Sequence, residues 1–256
     1  MKANQRSRKT GLARTLSKIG YCSRSRAAEL IRDGRVSVNE KIWRDPETPV
    51  FRNDRLAVDG NKVETLEKIY VMLNKPRGVV TTASDEKNRE TVYELLSGCS
   101  SSGKGFSPWI APVGRLDKAS EGLLLFTNDS EWADSITAPE SHLEKTYHVQ
   151  VGRVLPKELL GALVRGVPTR GGEILKATQA RLLRSGQKNC WVEVVLDEGK
   201  NRQIRRMFEA LGIEVLRLVR VSIGPLFLGN LAKGESRALT AGEKQMLDGA
   251  LRKKTP

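Results

Sequence analysis

The chain has 256 residues, 39% hydrophobic and 29% charged, enough apolar material for one large domain or two smaller ones at roughly 100–200 residues each. Forty-four Lys and Arg against thirty Asp and Glu leave +14, which points to a polyanionic partner, nucleic acid first. No stretch approaches the ~18 apolar residues of a membrane helix, and three scattered cysteines with two histidines argue against a disulfide framework or a Cys/His zinc cluster. A reducing, cytoplasmic setting is expected. The opening MKANQRSRKT is basic but has no apolar stretch, so it reads as a flexible tail over residues 1–11 and not as a secretory signal.

Half the excess charge sits in the first quarter of the chain. Residues 1–64 hold fifteen Lys and Arg against eight Asp and Glu. Leu12, Leu16 and Ile19 have helical spacing, and Gly20 follows as a stop. Ser23 suits an N-cap for a second helix carrying Ala27, Ala28, Leu30 and Ile31, and Gly34 ends it. Arg35–Glu40 and Leu56–Asn61 read as short strands running into turns. A small helix–helix–strand module over residues 12–64 is predicted.

A second, larger domain over residues 69–250 is predicted to mix strands and helices, an α+β fold. Ile69–Leu73 reads as a strand, and Val79–Thr82 as another beyond the turn at Pro76 and Gly78. Residues 97–107 are mostly small and polar, as in a mobile loop. Leu123–Thr127 has the character of a buried strand, followed by a helix around Glu131–Thr137. Tyr147–Val151 and Trp191–Leu196 alternate as strands, with helical spacing across Pro156–Val164 between them. Asn201–Leu211 reads as a basic helix closed by Gly212, and Val215–Val221 and Leu226–Leu228 as final strands.

Three segments carry chemistry. Asp117, between turn-forming residues and a buried strand, is placed to act as a nucleophile or base; a turn Asp paired with Arg115 is the plain alternative. Tyr147, at a strand start beside Lys145, suits stacking on a base, or simply the core. In Glu198–Met207, Ile204, Met207 and Phe208 share a helical face, which leaves most of Lys200, Arg202, Arg205 and Arg206 toward phosphate or solvent. His142 and His148 read as packing or surface residues.

In order and spacing, L-N-K-P-R-G at 73–78, G-R-L-D at 114–117, E-G-L-L-L-F-T-N-D at 121–129, E-K-T-Y at 144–147, E-G-K-N-R-Q-I-R-R-M at 198–207 and V-S-I-G-P-L at 221–226 resemble the RsuA-type ribosomal RNA pseudouridine synthases. The front module, with L-x-K-x-G-x-x-S-R-x-x-A from Leu16, is similar to an S4 RNA-binding domain. The resemblance implies a mixed, largely antiparallel central sheet and a uridine isomerisation that uses no metal or organic cofactor. A monomer acting on ribosomal RNA or a ribosome assembly intermediate is expected. By the same resemblance, Asp117 is the catalytic carboxylate, Tyr147 contacts the uracil, Arg205 pairs with the carboxylate and Arg115 fills the space of the flipped nucleotide. Further RNA-contacting cations are expected at Lys75, Lys200, Arg202 and Arg206, and at Arg24 and Arg35 of the front module. Arg at position 205 leans toward large-subunit RNA. The alternatives are small-subunit RNA as substrate, or an RNA-binding assembly factor that does no chemistry.

Overall fold

The computed structural model describes residues 10–51, 53–64, 66–82, 85–87, 89–99 and 109–252, without the side chains of 97–99. Residues 1–9 of the expected tail and 100–107 of the expected loop lie outside these. The chain divides into two compact units. The first takes in the described residues of Met1–Tyr70, Ser100–Ala111 and Phe126–Ser130; the second takes in the rest.

In the first unit the chain runs β1 (Thr10–Gly11), α1 (Leu12–Lys18), α2 (Arg24–Arg32), β2 (Val36–Val38), β3 (Lys41–Ile42), β4 (Pro49–Val50), β5 (Leu56–Val58) and β6 (Asn61–Lys62). Thr10 and Gly11 were expected in the tail, but they pair with Val50 and Pro49. The Ser23 side chain accepts from the Arg26 N–H at 3.1 Å and caps α2. Leu12, Leu16, Ala27 and Ile31 are fully buried and close a core with Val36, Val38, Leu56 and Val58. β2–β3 and β5–β6 are hairpins whose central residues have positive φ, Asn39 and Glu40 in one and Asp59 and Gly60 in the other. That backbone matches the twist of the flanking strands.

The second unit is built on a sheet of nine strands, of whose elements only Tyr70, Ala111 and residues 126–130 count with the first unit. Its elements are β7 (Tyr70–Lys75), β8 (Ala111–Val113), β9 (Glu121–Thr127), α3 (Ser130–Thr137), β10 (Lys145–Val151), α4 (Lys157–Arg165), a small hairpin of β11 (Val167–Pro168) and β12 (Ile174–Leu175), β13 (Gln179–Ser185), β14 (Cys190–Leu196), α5 (Gln203–Ala210), β15 (Val215–Ile223), β16 (Leu226–Phe227), β17 (Ser236–Ala238) and α6 (Ala241–Arg252). The sheet order is β13-β14-β10-β15-β9-β7-β17, with β16 on β15 and β8 on β9. The β15–β9 pair is parallel, while β10–β14, β10–β15, β13–β14, β15–β16 and β7–β17 are antiparallel, so the sheet is mixed and largely antiparallel.

α4 and α5 cover one face of this sheet. Ile204, Met207 and Phe208 sink into a core with Val149, Val151, Val192 and Val194, and burying each such side chain contributes about 1.5–3 kcal/mol. β9 is buried at every residue, as a central strand covered on both faces must be. The strand expected over Val79–Thr82 does not form; only Val80 bridges to Thr91, because this segment turns its hydrogen bonds toward a neighbouring loop instead of a strand. Residues 97–99 of the expected loop belong to a 3-10 turn, Glu94–Cys99.

Candidate active site

Asp117 lies in the loop between β8 and β9. Five consecutive main-chain carbonyls of this loop accept hydrogen bonds. Thr81 Oγ1 donates to Leu116 O at 2.8 Å. Lys75 Nζ donates to Asp117 O at 3.2 Å and to Ser120 O at 2.9 Å. The Gly78 N–H donates to Lys118 O at 2.8 Å, and Arg205 Nη2 donates to Ala119 O at 2.8 Å. The backbone is held from two directions, by 75–81 and by α5, while the Asp117 side chain remains 37% exposed. That arrangement fixes a carboxylate in place without consuming its oxygens.

The cation nearest the carboxylate is Arg202, with Nη1 at 3.7 Å from Oδ2. The expected direct pair with Arg205 does not form, and neither does one with Arg115. Arg205 Nη1 and Nη2 bond to Val215 O at 3.4 Å and Ala119 O; its reach is taken up by backbone, and its buried Nε has no partner. Burial, then Arg202, push the Arg205 pKa down, while Asp117 favours its charge. Arg202 is the N-cap of α5 and has φ 49, a left-handed conformation that costs a non-glycine residue energy and clusters at functional sites.

Lys75 was expected at an RNA surface, but it is 0% exposed. Its position at the end of a buried strand leaves the ammonium no route to solvent, and carbonyls satisfy it: Pro76 O at 3.1 Å, Asp117 O and Ser120 O. Burial lowers its pKa to about 8, against the opposing pull of Asp117 and Glu121. Lys200 pairs with Glu173 and Glu198, each at 3.2 Å, and Arg206 pairs with Glu173 at 2.7 Å, so both fasten the start of α5 to the β11–β12 hairpin. In the first unit Arg24 pairs with Glu47 at 3.3 Å and Arg35 with Asp59. Arg115 is exposed on the loop.

Tyr147 makes no hydrogen bond to Asp117 among the described residues. It packs against the core on the α5 side of the sheet. Its register runs through Arg220 on β15 to Gly122 on β9, two strand spacings or about 10 Å across and five residues past Asp117. Gly122 is required there: an added Cβ would lie 2.2 Å from Arg220 O, at φ +102.

Sequence reasoning missed the supports of the loop, Thr81 and Gly78. It also missed the ion-pair cluster behind it, where the 2% exposed Glu121 takes a bidentate grip from Arg217 at 3.1 and 3.0 Å and Lys233 at 2.7 Å. Burial would raise the Glu121 pKa, but the bonds from Arg217 and Lys233 outweigh it and hold it low. The N-D of the 121–129 motif has a different task. Asn128 Oδ1 accepts from the Ile69 N–H at 2.8 Å and Asn128 Nδ2 donates to Glu67 O at 2.7 Å, while Asp129 Oδ2 accepts from the Tyr70 hydroxyl at 2.9 Å.

Among the described residues no group of His, Cys, Asp and Glu is placed to hold a metal ion, and no helix is long and apolar enough to cross a membrane. The family model for RNA pseudouridylate synthase matches residues 69–210, and that for the S4 domain matches residues 10–56. The ribosomal large subunit pseudouridine synthase B of Bacillus subtilis (strain 168) is 39% identical, over 92% of this chain and 94% of its own. An uncharacterized RNA pseudouridine synthase of Rickettsia prowazekii (strain Madrid E) is 36% identical, over 92% and 97%. A crystal structure of a pseudouridylate synthase superposes with a TM-score of 0.63 at 31% identity, covering 93% of this chain and 99% of that one. With the Asp117 loop between strands of a mixed sheet, and an S4 domain earlier in the sequence, the chain belongs to the RNA pseudouridine synthase family.

Proposed function

We propose that this protein isomerises a uridine of large-subunit ribosomal RNA to pseudouridine, with Asp117 as the carboxylate at the reacting centre. The observation that carries this reading is the Leu116–Ser120 loop, its carbonyls held one after another while the Asp117 side chain stays open. The relative named for the large subunit supports the choice of RNA.

The target nucleotide leaves its stack at a cost of a few kcal/mol. Arg115, exposed on the loop, fills the vacated space, and the Tyr147 ring offers a π face to the uracil. The N1–C1′ bond breaks, the base turns, and C5 bonds to C1′; C5 gives up its proton and N1 takes one up, so the formula is unchanged. As N1 departs, C1′ becomes electron-poor, and the Asp117 carboxylate meets that developing positive charge. Arg202 orients the carboxylate and Arg205 holds the loop that carries it. The S4 domain adds affinity through phosphate contacts. In this reading the protein acts as a single chain in the cytoplasm, on ribosomal RNA or an assembly intermediate.

The test is tritium release from uracil-5-labelled large- and small-subunit transcripts by wild type and Asp117→Asn. Release from the large-subunit RNA alone is expected, abolished in the variant while RNA affinity stays within a few-fold. Turnover by Asp117→Asn, or release only from small-subunit RNA, would overturn the proposal.

A further inference from the structure

We propose that the sheet face opposite α4 and α5 carries an RNA-phosphate site made by Arg184 and shaped by Trp191, apart from the Asp117 loop. It rests on the reading of this protein as an RNA-modifying enzyme and adds a second contact to the same RNA.

The register places Arg184 opposite Trp191, Trp191 opposite Gln150 and Gln150 opposite Arg217. Residues paired across strands share a face. Cys190, Val192 and Val194, the alternate positions of β14, enter the core, so this row lies on the other side. The Arg184 Cζ sits 5.1 Å from the centre of the Trp191 ring, and the Arg217 Cζ sits 5.4 Å from it.

The two guanidiniums differ in what remains of their donors. Arg217 spends Nε and Nη2 on Glu121. Arg184 is exposed and has neither a hydrogen bond nor a carboxylate partner among the described residues. Contact with a ring face orders a guanidinium without using any of its five N–H groups. The side chain is therefore a fork held ready for a bidentate anion, the geometry a phosphodiester offers.

The electrostatics of this face favour an anion. Glu193 is neutralised by Arg181 at 2.5 Å and faces His148 at 3.4 Å, and Glu121 is neutralised by Arg217 and Lys233. Arg184, and the exposed Lys188 in the turn joining β13 to β14, are left as the excess charge of the hairpin. In a chain of net charge +14, an ordered, unspent guanidinium on the same hairpin as that lysine suits RNA.

The experiment measures binding of full-length protein to a large-subunit transcript across salt concentrations, for wild type, Arg184→Gln, Trp191→Leu and the double variant, with pseudouridine formation scored on the same samples. Losing one phosphate contact should lower the log–log salt slope by about 0.7–0.9, which amounts to roughly sixfold weaker binding at 0.1 M salt. Because Trp191 acts through Arg184, the double variant should bind like Arg184→Gln. The single-turnover rate at saturating RNA should not change. Arg184→Gln is an exposed substitution and keeps the test valid should Trp191→Leu fail to fold. Unchanged affinity and slope in Arg184→Gln, with wild type still converting uridine, would overturn the phosphate site alone, and would leave an acidic protein as the partner of this face. If wild type converts no uridine, the enzymatic reading fails, and the slope comparison still decides whether Arg184 meets phosphate.

Discussion

Replacing Lys75 with Met separates the support of the Asp117 loop from the stability of the fold. The substitution nearly preserves shape but removes the donor to Pro76 O, Asp117 O and Ser120 O. Asp117 O keeps the Ser120 N–H at 2.9 Å; the other two carbonyls each lose a charged donor, at about 1–3 kcal/mol apiece. Against this stands the cost of holding a dehydrated ammonium. Its pKa falls from 10.5 to about 8, which corresponds to about 3 kcal/mol. The two effects largely offset each other, so stability should change by no more than about 3 kcal/mol. Activity should not be spared, because a carboxylate displaced by ~1 Å costs on the order of 100-fold in rate.

The same residue predicts a pH dependence of stability. Its folded-state pKa lies below its unfolded one, so between pH 8 and 10.5 the unfolded chain binds more protons and stability rises with pH. The Cys22 thiol, pushed up to about 11 by burial, acts in the opposite sense over part of this range, which is why the difference between wild type and Lys75→Met is the quantity to follow. Urea unfolding of both proteins from pH 7 to 10.5 should show that difference growing by about 3 kcal/mol in favour of wild type. A flat difference would refute the buried ammonium. Single-turnover rates within threefold of wild type would refute its role in placing the Asp117 loop.

Three more substitutions probe the supports. Gly122→Ala sets a methyl 2.2 Å from Arg220 O at φ +102 and should cost about 3 kcal/mol or more, a drop of roughly 10 °C in thermal midpoint; an unchanged midpoint would mean that β9 and β15 do not meet as described. Arg205→Met removes the donors to Ala119 O and Val215 O and should slow single turnover about 100-fold with little change in RNA affinity. A larger loss in Arg202→Gln than in Arg205→Met would assign the placement of Asp117 to the ion pair instead of the backbone anchor.

Elements whose signal is local were legible in the sequence. Ser23 and Gly20 mark the ends of α2 and α1, the 3.6-residue spacing of Ile204, Met207 and Phe208 sets the buried face of α5, and alternation marks β10 and β14. Strand β13 was missed because all but one of its residues are exposed, which leaves no alternation to read. Helix α6 was missed because it buries only Leu247, too little to draw an apolar stripe. The order of motifs made the family recognisable and singled out Asp117, but not the job of each cation around it. Lys75 looked like a surface charge and is the buried anchor of the loop; Arg205 looked like the partner of the carboxylate, and Arg202 stands closest. Caps and periodicity arise between residues a few positions apart, so the sequence by itself determines them. Lys75 meets the Asp117 carbonyl across 42 residues, Arg205 meets Ala119 across 86 and Arg217 meets Glu121 across 96. Which cation reaches which oxygen at such separations depends on strand order and on a few ångströms of side-chain reach, and only the tertiary structure decides it.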